Sequence, residues 1–269
     1  MGLAVRLACT GAAVSLLMAC PAVFPELKTQ MRPLAGAQVL DPPPPADLRW
    51  VAFKGANIPQ LTRDGRRWGN DLASRKPDSY AKLLVNGVEL LRTNVESNSL
   101  SPTWRDSPRG NFRIQANDRF RIELWDARAL NDHPIGVKDF GTLRSEFTAN
   151  DEIEVECESG AHVTVADEPA HGRVGYGFYY EMRTYDLYVT RVFEESPAAR
   201  AGMRVGDQLL GIQNKPPREM REGEAQSLLN SQLPAGLELS LRHEDGAIVT
   251  VHIKEGAIYP LFREVGTFE

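Results

Sequence analysis

The chain has 269 residues, 42% hydrophobic and 25% charged, an ordinary globular composition whose length fits two compact units plus connecting segments. The formal net charge of −5 gives no electrostatic basis for nucleic-acid binding.

The amino terminus reads as a secretion signal. Arg6 supplies a short positive region, and Leu7 to Ala19 is apolar or small and too short to span a bilayer permanently. The segment closes on Leu17-Met18-Ala19-Cys20, which resembles the bacterial lipobox. That resemblance implies cleavage after residues 1–19 and lipid attachment at Cys20; a plain secretory cut at Ala19 is the alternative. Lipidation places the chain in the bacterial cell envelope, anchored to a membrane and facing periplasm or exterior. Cys9 then leaves with the leader, so Cys157 is the remaining thiol and no intrachain disulfide forms.

Residues 21–46 read as a proline-rich tether. Pro21, Pro25, Pro33 and the run Pro42 to Pro45 resist helix and sheet. Fully extended at about 3.1 Å per residue, the tether reaches about 80 Å, and it is expected to be a spacer without a site of its own.

Residues 47–168 carry short alternating runs: Leu48 to Phe53, Tyr80 to Val85, Phe112 to Ile114, Phe120 to Trp125, Ile153 to Cys157 and His162 to Val165. Gly, Asn, Asp and Pro separate them, a spacing that predicts an antiparallel β-sandwich. Cys157 shares a strand face with Ile153 and Val155, and a buried inert thiol is expected. Around Pro77 to Lys82, Ser101 to Trp104, Arg121 to Asp126 and Pro134-Ile135-Gly136 the sequence resembles a C2 domain. The family often clamps calcium between two loops, which implies Asp78 and Asp126 as ligands, with Asp71 one residue out of register and Asp132 as a substitute. Arg128 stands where the family usually has another aspartate, and its charge repels the ion. A metal-free sandwich is the preferred reading; one weak calcium site stays open. A further reading places Arg63, Arg66, Arg67, Arg75 and Lys76 against anionic headgroups, with Trp68 as an interfacial anchor.

Residues 169–256 open on Gly175-Tyr176-Gly177-Phe178. The two glycines let successive amide groups face one concavity, suited to a terminal carboxylate, with the amides of Tyr176, Gly177 and Phe178 as donors. Ser196 is a good helix N-cap, Pro197 fits the first helical position, and Gly202 fits a left-handed stop. A strand follows at Gln208 to Ile212, a helix at Glu222 to Leu233, and closing strands at Leu237 to Leu241 and Ile248 to Ile253. This ordered set resembles a PDZ domain of the kind found in bacterial envelope proteases. The resemblance implies an α+β domain, a small β-barrel with two helices, that takes an extended peptide along the strand after the loop. It places Glu222 and Gln226 on the groove side of the later helix. Phe178, Leu228 and Leu229 are candidates for the pocket of the ligand's last side chain, with plain helix core as the other reading of the leucines.

The overall expectation is a mainly β chain with a tail at residues 257–269. His133, His162, His171, His243 and His252 show no metal spacing, and no nucleophile elbow occurs, so the chain reads as non-enzymatic. Expected partners are peptide segments or protein C-termini, among them an envelope protease or its substrates. The rival expectation is a calcium- and phospholipid-binding protein in which the PDZ domain is structural.

Overall fold

The computed structural model describes residues 24–33, 41–68, 76–142 and 152–265. Cys20, Asp71 and Arg75 lie outside the described residues. The chain is mainly β and antiparallel. The sandwich comprises β3 (Leu48–Asn57), β4 (Ser79–Val85), β5 (Val88–Arg92), β6 (Arg109–Arg113), β7 (Arg119–Asp126), β8 (His133–Thr142), β9 (Glu152–Glu156) and β10 (His162–Pro169), preceded in the chain by β1 (Glu26–Lys28) and β2 (Met31–Pro33). Its two sheets run β6-β3-β10-β9 and β5-β4-β7-β8.

Period-two alternation decides which side chains face inward. Phe120, Ile122 and Leu124 of β7 turn toward Val51 and Phe53 of β3 and Val163 and Val165 of β10, all buried in one core. Four of the six alternating runs lie within strands and the other two, Phe112 to Ile114 and Ile153 to Cys157, end one residue past β6 and β9, whereas β5 and β8 complete the sandwich unannounced. Cys157 is buried in this core, and burial pushes its thiol up to about 11. Trp68 belongs there too: its indole nitrogen donates to the Pro59 carbonyl at 2.6 Å, so it is no interfacial anchor.

The second unit contains β11 (Arg173–Gly175), β12 (Phe178–Arg183), β13 (Asp186–Val192), α1 (Pro197–Arg200), β14 (Gln208–Ile212), α2 (Glu224–Leu229), β15 (Leu237–Arg242), β16 (Ile248–Ile253) and β17 (Gly256–Ile258). A short helix, α3 (Phe262–Val265), ends it. Its main sheet has the order β1-β12-β13-β14-β15-β16, and a second sheet runs β17-β11-β2. The expected tether therefore contributes two strands. Its prolines sit at strand limits, Pro25 just before β1 and Pro33 at the end of β2, which leaves the residues between them free to pair.

The tail past residue 256 joins the two units. Tyr259 and Leu261 pack with Leu48, Ala170 and Ala257. Fully buried Asn111 of β6 binds both sides of this junction: its amide nitrogen donates to the carbonyls of His171 (2.8 Å) and Pro260 (3.0 Å), and its oxygen accepts from the His171 amide (2.8 Å). Replacing it leaves three buried backbone groups without partners. Asn111→Ala is expected to cost about 2–4 kcal/mol in denaturant unfolding, whereas Arg263→Ala, which removes an exposed ion pair with Glu194, changes the midpoint little.

Candidate functional site

The strand and loop that carry the candidate site are fixed from behind by α1. Ser196 caps that helix, its hydroxyl accepting from the Ala199 amide at 3.2 Å and donating to the Gly177 carbonyl at 3.1 Å. The Ala198 amide donates to the Tyr176 carbonyl (2.9 Å) and the Phe193 amide to that of Gly177 (3.0 Å). Gly177 takes φ +86°, and a Cβ there would stand 2.3 Å from the Ser196 Cβ, so only glycine fits both the backbone and the space.

Tyr176, Gly177 and Phe178 are all buried. Phe178 and Tyr180 point into a core with Leu209, Leu229 and Leu239. Tyr180 has a phenol pushed up to about 12 by burial. Leu229 is buried in that core, and Leu228 packs against it half-buried. The later helix is shorter than expected. It spans Glu224–Leu229, because Gly223 enters a left-handed conformation just before it. Glu222 consequently lies in the turn ahead of α2, exposed, and Gln226 is exposed on the helix.

The outer edge of β12 is paired. Residues Glu26–Lys28 run antiparallel to it in the register Glu26↔Glu181, Leu27↔Tyr180, Lys28↔Tyr179, so the added strand travels toward the Gly175 to Phe178 loop. Thr29, buried, donates its hydroxyl to the Phe178 carbonyl. The chain then passes the loop instead of ending at it: a Cβ on Gly175 would meet the Gln30 carbonyl at 2.5 Å, and Met31–Pro33 pairs with β11. The segment therefore has no chain end at the loop. The Gln30 amide donates to the Asn230 side chain at the end of α2, 3.0 Å away, which puts the segment between β12 and that helix.

At one end of the sandwich the described aspartates are committed to protein partners. Asp126 is buried; it accepts the Asp78 amide (2.9 Å) and the Arg128 guanidinium (2.9 Å). Asp78 accepts the Asn98 amide at 2.6 Å. Asp132 accepts the Tyr80 hydroxyl (2.7 Å) and the Arg128 amide (3.1 Å), which hold its carboxyl below the usual range, while burial and that bond push Tyr80 up to about 12. Among the described residues no group of three or more His, Cys, Asp or Glu side chains could hold a metal ion. Elsewhere a cleft of about 630 Å³ lies between β6 and the tail, with Phe112 and Phe262 as its apolar part and Arg113, Arg263, Glu89 and Asp118 as its charged part. Nothing in the sequence pattern announced it, since its walls come from distant segments.

The family model described as C2 domain matches residues 54–155, and that described as PDZ domain matches residues 188–242. The chain thus carries a C2 domain and a PDZ domain, and the Gly175 to Phe178 loop lies just upstream of the second match. Similar solved structures include a C2 domain (19% identity, 45% of this chain and 97% of that chain, TM-score 0.33). Another is a C2 domain of plant Extended Synaptotagmin 1 (15% identity, 46% and 96%, TM-score 0.35). A third is human GIVD cytosolic phospholipase A2 (16% identity, 53% and 20%, TM-score 0.34). No match is found among curated proteins.

The packing behind the loop sets what substitutions do. Gly177→Val adds both a left-handed branched residue and an overlap with Ser196, and is expected to lower stability by about 2–4 kcal/mol. Ser196→Ala removes the cap and is expected to cost about 1–2 kcal/mol. Thermal unfolding of the two variants, followed at the PDZ domain, checks the order.

Proposed function

We propose that this chain is a non-enzymatic, membrane-anchored adaptor of the bacterial cell envelope. Cys20 carries the lipid, the PDZ domain takes an extended peptide as an added strand on β12, and the C2 domain offers a docking surface. C2 and PDZ domains are typically non-catalytic, and both are modules of protein interaction or membrane binding, which supports the coarse reading. The observation that carries the finer one is the β12 edge. It accepts an antiparallel strand running toward the glycine-flanked loop with α2 on the other side, the arrangement by which a sheet edge gives main-chain affinity and alternate side-chain pockets give specificity.

The reading assigns no role to calcium. The Arg128 guanidinium already neutralises Asp126, and an incoming cation would have to displace it. The partners are extended peptide segments or protein C-termini, including those of an envelope protease or its substrates. A displayed library of internal and C-terminal peptides, screened against the chain with calcium or with chelator, tests this. The expected outcome is enrichment of peptides whose binding changes the amide signals of Tyr179 to Glu181, indifferent to calcium. No enrichment, together with calcium-dependent pelleting with anionic vesicles, would replace it with the phospholipid-binding reading.

A further inference from the structure

Residues 26–28 sit on the β12 edge as a ligand would, and residues 31–33 continue along β11. Successive residues of the segment are tied down separately. Glu26 accepts the Thr190 hydroxyl at 2.8 Å, Leu27 packs against the buried core of the PDZ domain, and Lys28 lies 5.4 Å above the Tyr179 ring. Thr29 is buried on the Phe178 carbonyl, Gln30 is held by Asn230, and Arg32 forms a two-pronged ion pair with Glu255 at 2.8 and 2.6 Å. Leu27 faces Tyr180 across the register, so its side chain fills the place beside Phe178 and Tyr180 where a ligand's apolar side chain would go.

From this we infer that the PDZ groove reads internal extended segments of the form leucine, any residue, threonine, and that Glu26–Pro33 is its resident occupant, displaced when a partner binds. The inference rests on the peptide-binding reading above. Two details set the partner's chemistry. The backbone continues past the loop along β11, so a partner need not offer a chain end. Glu26 stands directly opposite Glu181, whose carboxylate is paired with Arg183, so two carboxylates share one guanidinium at this register position. A partner with lysine or arginine at that position removes one of the two carboxylates and so pairs more tightly, residue for residue, than the resident sequence.

The resident strand is covalently attached, which raises the threshold for any competitor. A tethered segment acts at an effective concentration on the order of 1 mM, so a resident strand of intrinsic Kd about 10 μM makes any competitor bind about 100-fold more weakly than to an empty groove. Leu27→Asp with Thr29→Ala, made in the full chain, removes the apolar anchor and the buried hydroxyl of the occupant without touching the groove.

The test uses a fluorescent decapeptide of the sequence Phe24 to Pro33 with an amidated end. The opened variant is expected to bind it about 100-fold more tightly than the wild type. Lysine in place of Glu26 in the peptide is expected to tighten binding about threefold. A shorter peptide ending at Thr29 with a free carboxylate is expected to bind no better. In the wild type, hydrogen exchange at residues 26–29 and 179–181 is expected to be slow, a reading that stands even if the variant is poorly folded. Fast exchange there overturns the resident assignment. Preference of the opened variant for the free-carboxylate peptide overturns the inference and leaves the adaptor reading intact. Capture of neither peptide by a folded opened variant removes the adaptor reading itself.

Discussion

An unpaired strand edge is the constraint from which the rest of this structure follows. β12 presents one row of backbone amides and carbonyls to β13 and a second row outward, toward β1. Such a row must meet water, another chain or the protein itself, and an exposed one invites edge-to-edge association. Here a proline-free run bounded by Pro25 and Pro33 supplies the missing strand through Glu26–Lys28. The pairing is local in energy and distant in sequence. Thr29 reaches Phe178 across 149 residues and Arg32 reaches Glu255 across 223, so the segment's partners come from the far end of the chain and closing those loops costs entropy.

The loop that the edge leads into is held from several directions, which explains its burial. β11 is paired on one side with β2 and on the other with β17, and α1 caps the loop from behind. The same β17 leads into Tyr259 and Leu261, which lie on the sandwich, and the Tyr259 hydroxyl donates to the Pro42 carbonyl at 2.8 Å. The stacked pair of Trp50 and His171, with ring centroids 4.2 Å apart, adds a further contact across the junction. The C2 and PDZ domains thus meet through buried side chains.

How much of this the sequence disclosed depended on whether the signal was local. The strands at Leu48, Tyr80, Phe120 and His162 follow from alternation because each buries one face. The cap at Ser196 and the stop at Gly202 follow from chemistry within five residues. The β4–β5 hairpin went unread although its signal is local: Asn86-Gly87, both at positive φ, is the strongest short-range turn signal, and it pairs Val85 with Val88. β8 was hidden by Gly136, whose missing side chain lets Ser159 and Cys157 approach closely. The role of residues 26–33 was out of reach because Glu-Leu-Lys and Met-Arg-Pro carry no pattern of their own, and their partners lie some 150 to 220 residues away. Reading the prolines as a continuous extended tether missed the gap between them.

That gap alters the mechanics of the proposed anchor. With β1 in place, five residues separate Cys20 from the folded domain, a reach of about 16 Å at 3.1 Å each. With β1 and β2 released, the free length runs to Asp41, just before the Pro42 carbonyl that Tyr259 holds, and the reach becomes about 65 Å. Under the proposed anchoring at Cys20, release of the resident strand lengthens the span available between the bilayer and the domain. Linkage then works both ways: whatever holds the domain at the membrane favours the resident strand, and whatever draws it outward opens the groove by the same free energy. The two carboxylates of Glu26 and Glu181, sharing the one Arg183 guanidinium, belong in that balance, because a resident strand that bound too well could not be exchanged at all.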